Sequence, residues 1–91
     1  MIQSIQLVIT GRVQGVFYRA SMRDKAEALG ASGFVQNRED GSVYAEIEGE
    51  AQVLGKLIDW CHAGPAGARV DGVKATHQPA KGYQGFAIRR S

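Results

Sequence analysis

The sequence lacks much of what would point to a specialised environment. It has a single cysteine, Cys61, so no intrachain disulfide can form and no secretory framework is present. No stretch of about 18 apolar residues occurs, which excludes a membrane-spanning helix. Met1 to Ser4 do not open with a basic region followed by an apolar run, so no signal peptide is expected. There is little excess charge: 11 Lys and Arg against 9 Asp and Glu leave a formal net charge of +2. That is too small to make nucleic acid the default partner, though it is compatible with an anionic ligand. Repeats, linkers and low-complexity tracts are also missing. The expectation is a cytoplasmic protein with no membrane and no nucleic-acid partner, acting as a monomer.

What remains is an ordinary globular composition, 44% hydrophobic and 22% charged over 91 residues, read as one domain spanning 1–91. Ile5, Leu7 and Ile9 alternate with Gln6, Val8 and Thr10, the period-two pattern of a strand. From about Tyr18, the positions Met22, Ala26 and Leu29 recur at helical spacing, with Gly30 placed to end that helix. Gly33 to Arg38 reads as a second strand, and Asp40-Gly41 as a hairpin turn. In the third strand Val43, Ala45 and Ile47 form one face, while Tyr44, Glu46 and Glu48 form a partly wet one. A second helix starts at about Glu50, carries the stripe Val53, Leu54, Leu57, Ile58 and Cys61, and stops at Gly64-Pro65. Val70 to Thr76 predicts a fourth strand, and a loop around Pro79 to Gly85 leads to a short last strand, Phe86 to Arg89. This order predicts an α+β, ferredoxin-like split βαββαβ sandwich, with a mainly antiparallel sheet and two helices on one face. That superfold hosts many functions and names none.

The segment Gly11-Arg12-Val13-Gln14-Gly15-Val16-Phe17-Tyr18-Arg19 lies between a strand end and a helix start. Unpaired backbone N–H groups and the positive end of the helix dipole converge there, which suits an anion. Gly15 lets the chain curl into a backbone nest. Arg19 opposes the dipole in the first helical turn unless an anion sits between it and the N–H groups. Its planar fork suits two phosphate oxygens. On spacing alone, a glycine turn followed by a solvated arginine accounts for the loop equally well. No Gly-Lys-Ser/Thr follows, so a nucleoside triphosphate loop is not supported.

The same nine residues resemble the acylphosphatase signature, Gly-x-Val-Gln-Gly-Val-x-Phe/Tyr-Arg, at every fixed position. Gly33-Phe34-Val35-Gln36-Asn37-Arg38-Glu39-Asp40-Gly41-Ser42-Val43 resembles the family's second block, with Phe34 where tryptophan is frequent. Phe86 to Arg89 is similar to its closing strand. The resemblance implies the ferredoxin-like fold and hydrolysis of acyl phosphates. It implies a phosphate cradle made by Gln14, Gly15, Val16, Phe17, Tyr18 and Arg19, with Arg19 as the cation. It implies Asn37 as the residue that positions the attacking water, and no cofactor.

These implied roles are chemically consistent. An amide can accept from water and donate to a phosphate oxygen, holding a nucleophile in line without being a base. Neither a two-metal carboxylate cluster nor His/Cys ligand spacing is present, so no metal is expected. The signature contains no general acid, which limits cleavage to leaving groups that need no proton. A carboxylate, whose acid has a pKa of about 4, qualifies; an alkoxide does not. Acyl phosphates should therefore be cleaved far faster than alkyl phosphate esters, with the substrate's own phosphate a candidate base.

Other features read as structural. Cys61 and Arg69 sit eight residues apart, not the six of a thiolate phosphatase loop, and Cys61 continues an apolar stripe. His62 and His77 read as surface residues, Trp60 as helix packing, Asp40 as a turn former, and Arg89 and Arg90 as a solvated strand end. Two other functions compete. One is a phosphate or carbamoyl phosphate binding module without turnover. The other is RNA recognition on the sheet, disfavoured because Tyr44 stands with Glu46 and Glu48.

Overall fold

The computed structural model describes residues 1–90; Ser91 lies outside the described residues. The chain runs β1 (Gln3–Arg12), α1 (Tyr18–Leu29), β2 (Ser32–Asn37), β3 (Val43–Gly49), α2 (Ala51–Ala63), β4 (Arg69–Gln78) and β5 (Phe86–Arg89). The strands form one sheet in the order β4-β1-β3-β2-β5. All pairings are antiparallel except β2 with β5, which is parallel. This is the ferredoxin-like sandwich expected from the hydrophobic pattern, with β1 two residues longer at each end than Ile5–Thr10, and β4 one residue longer at its start and two at its end than Val70–Thr76.

Alternation decides which side of each strand is buried. Ile5, Leu7 and Ile9 of β1, Val35 of β2, and Val43, Ala45 and Ile47 of β3 meet Met22 and Ala26 of α1 and Leu54, Leu57 and Cys61 of α2 in one core. Both helices stop where the sequence has glycine. Gly30 takes a left-handed φ of 81°, and its N–H donates to the last turn of α1. Gly64, with φ 67°, donates to Trp60 O. Gly33 has a different reason to be glycine: its φ is 135°, and a Cβ there would run into the Glu46 carbonyl of the neighbouring strand.

The second face of β3 departs from the expectation of a partly wet surface. Glu46 and Glu48 are buried, at 6% and 2% exposure, because the segment between β4 and β5 straps across that face. The Glu48 carboxylate accepts from the backbone N–H groups of Lys81 (2.6 Å), Gly82 (3.1 Å) and Tyr83 (3.1 Å). Glu46 accepts from Tyr44, Gln78, Lys81 and Tyr83 side chains. Two carboxylates that periodicity assigns to solvent are thus satisfied as acceptors. The strap ends with Gly33 N–H donating to Gly85 O at 2.9 Å, which delivers the chain into β5.

Candidate active site

The Gln14–Arg19 segment follows β1, which ends at Arg12, and enters α1 at Tyr18. Gly15 has φ 75°, and Phe17 adopts φ 63°, ψ 25°, a left-handed conformation uncommon for an aromatic residue. No side chain caps α1, and its first turn holds no acidic residue. The first bond joining the helix to the loop runs from Ser21 N–H to Phe17 O at 3.0 Å. For the N–H groups of Gly15 to Arg19, no backbone acceptor is found among the described residues. The local chain therefore presents a row of donors at the positive end of a helix dipole.

A cleft of about 330 Å³ opens at this point. Five of the seven expected site residues line it: Gly15, Phe17, Tyr18, Arg19 and Asn37. Val16 instead packs against the core. Gln14 turns its side chain away from the cleft. Its amide nitrogen donates to Arg38 O (2.8 Å) and Ser42 O (2.9 Å), tying the loop to the hairpin between β2 and β3. Arg19, at the head of α1, forms no ion pair among the described residues. Asn37, the last residue of β2, lies on the Val35 side of the strand and faces the loop. Its Oδ1 is buried and accepts no hydrogen bond from any described group. An unpaired buried acceptor is rare and carries a penalty unless something outside the protein completes it.

The cleft's far wall comes from Ile88 and Arg90, which the sequence had not placed there. Arg89 and Arg90 are both exposed, as expected of a solvated strand end. Arg90 additionally borders the cleft, while the Arg89 guanidinium lies 3.7 Å from the Phe34 ring centre on the opposite side of the sheet. Period two held the signal. Phe86 is a core residue, so Ile88 and Arg90 share its side and Arg89 does not.

The remaining decoys behave as structural residues. Cys61 is buried, and burial pushes its thiol up to about 12 despite a contribution from Tyr18 in the other direction. A thiolate nucleophile has no support there. Arg69 pairs with Asp71 on the surface. Tyr18, whose ionisation burial pushes up, donates its hydroxyl to Cys61 O at 2.7 Å and packs 5.3 Å from Trp60. Asp40 accepts from Ser42 N–H (2.9 Å) and Ser42 Oγ (2.6 Å), closing the hairpin turn. His62 and His77 are exposed.

The family model and the similar sequences agree on one family. The acylphosphatase family model matches residues 5–88. An acylphosphatase of Rubrobacter xylanophilus is 50% identical over 86 residues, covering 93% of this chain and 78% of the relative. One from Anaeromyxobacter dehalogenans is 49% identical, covering 92% and 91%. Among solved structures, an acylphosphatase from Coxiella burnetii superposes with a TM-score of 0.94 at 35% identity, covering 97% and 93% of the two chains. Full-length HypF in a phosphate- and nucleotide-bound form matches with a TM-score of 0.87 at 27% identity, but over only 12% of its length.

Proposed function

The chain belongs to the acylphosphatase family and hydrolyses small acyl phosphates, and from that premise we propose how its own residues carry the reaction. The row of N–H groups from Gln14 to Arg19, with the Arg19 guanidinium, holds the three non-bridging oxygens of the phosphoryl group. Asn37 accepts a hydrogen bond from water through Oδ1 and donates through Nδ2 to a phosphoryl oxygen. The water is thereby held in line with the bond to the carboxylate. Charge developing on the phosphoryl oxygens in the transition state meets fixed dipoles and a guanidinium that need no reorganisation.

The observation that carries this reading is the convergence, in one cleft, of an unpaired buried amide oxygen, an arginine with no ion-pair partner among the described residues, and a helix start without a cap. Each is an unmet need of the protein alone, and a phosphoryl group with its attacking water meets all three. Among the described residues, those lining the cleft carry no carboxylate, imidazole or thiol group. The reading therefore asks for a leaving group that departs without a proton, and it routes no step through a metal. We further propose that the protein acts as a cytoplasmic monomer without nucleic acid. Its large exposed apolar side chains are few among the described residues, namely Met1, Ile2 and Phe17.

The test is benzoyl phosphate hydrolysis with excess chelator, comparing the wild type with Arg19→Ala and Asn37→Ala, each checked for folding by circular dichroism. Rapid metal-free turnover is expected, reduced by roughly 10²-fold or more in each folded variant. An alkyl phosphate ester should be cleaved negligibly. Equal rates on both substrates would require a general acid outside the roles assigned here. Phosphate binding without turnover would move the chain to the binding-module reading.

A further inference from the structure

Phe17 is anomalous in two independent ways. Its backbone is left-handed, a conformation that Gly or Asn adopts with less strain than an aromatic residue. Its side chain is 83% exposed, and the other large exposed apolar residues, Met1 and Ile2, sit at the start of the chain. Neither the fold nor the phosphate cradle explains an aromatic ring at this position. The cradle uses the backbone here, and an exposed ring contributes little to the core.

Phe17 lines the cleft together with the apolar side chain of Ile88. The volume of about 330 Å³ is in the range that receives a small organic ligand, more than the phosphoryl group alone requires. With the phosphoryl group on the amides at the base of α1, the acyl half of the substrate projects toward the mouth. Resting on the phosphate-site reading above, we propose that Phe17 is the acyl-specificity residue. Its ring receives the acyl group opposite Ile88, so that aromatic acyl phosphates are favoured over acetyl phosphate. Burial of the ring against a substrate arene supplies the contact that the free enzyme lacks.

The test measures kcat/KM for benzoyl phosphate and acetyl phosphate in the wild type, Phe17→Asn, Phe17→Tyr and Arg19→Ala. Phe17→Asn keeps a side chain tolerant of the left-handed turn while removing the ring, and Phe17→Tyr keeps the ring. The intrinsic reactivities of the two anhydrides cancel when the benzoyl-to-acetyl ratio is compared between enzymes. The expected result is a ratio lower by about fivefold to tenfold in Phe17→Asn, chiefly through KM for benzoyl phosphate, and restored in Phe17→Tyr. An unchanged ratio in Phe17→Asn, including a proportional loss on both substrates, would overturn the inference while leaving the phosphate site standing. Full activity of Arg19→Ala on both substrates would overturn the phosphate-site reading, and the inference with it.

Discussion

The Gln14 amide donates to two carbonyls on the hairpin that follows Asn37, so this residue fixes a distance instead of touching the phosphoryl group with its side chain. Arg19 stands on the loop side of that tie and Asn37 on the hairpin side. Gln14→Ala should cost about 1–2 kcal/mol of stability, the range for losing two hydrogen bonds, one exposed and one partly buried. It should also lower kcat by a larger factor than it weakens inhibition by inorganic phosphate, because the cradle survives while the water's placement relative to it loosens. Steady-state kinetics with phosphate inhibition and urea unfolding read both effects. A parallel loss of phosphate affinity and kcat would mean that Gln14 shapes the cradle itself. In the sequence Arg19 stood out as a cation at the positive end of a helix, a pattern that a solvated arginine fits equally well, and Asn37 stood out only through its motif. The Gln14 tie was not legible, since no local pattern says which carbonyl 24 or 28 residues away an amide will find.

At the scale of elements, the succession of strands and helices follows from hydrophobic period and from the glycine that ends each helix. The strap between β4 and β5 does not. Alternation separates the faces of β3 but cannot say what covers the second one. Two glutamates there read as solvated until the strap's N–H groups and side chains are seen converging on them. For Glu46, burial alone would push the carboxyl up, but hydrogen bonds from Tyr44, Gln78, Tyr83 and Lys81 outweigh it and hold it at about 2, against an ordinary value of 4.5. Glu48 is lowered in the same way, the backbone N–H of Lys81 leading the groups that offset burial. A folded value below the unfolded one gives stability that is present above about pH 4.5 and lost as pH falls toward 2. Urea midpoints should therefore drop across that window. The drop should be shallower in Glu46→Gln, with a residual slope from Glu48. An identical acid limb in Glu46→Gln would remove the strap carboxylate from the explanation.

At the scale of the whole molecule, the cleft is assembled from parts far apart in the chain: the turn after β1, the end of β2, and the residues at and just beyond β5. The parallel pairing of β2 with β5 holds Ile88 beside Val35, two residues before Asn37. The site therefore has no local existence, and it forms only when the sheet closes. The radius of gyration of 11.7 Å fits a single compact unit of this length, for which about 12 Å is expected. Trp60 reports on the interface between the helices, through its packing on Tyr18 at the start of α1. If 1–91 is one cooperative domain, urea titrations followed by Trp60 emission, far-ultraviolet circular dichroism and residual hydrolysis of benzoyl phosphate should share one midpoint. Loss of activity at lower urea, with emission and dichroism still native, would instead mean that the loop or β5 opens locally before the core does. The covalent continuity of Tyr18 with the cradle and the strap's anchorage of β5 both argue for the single transition.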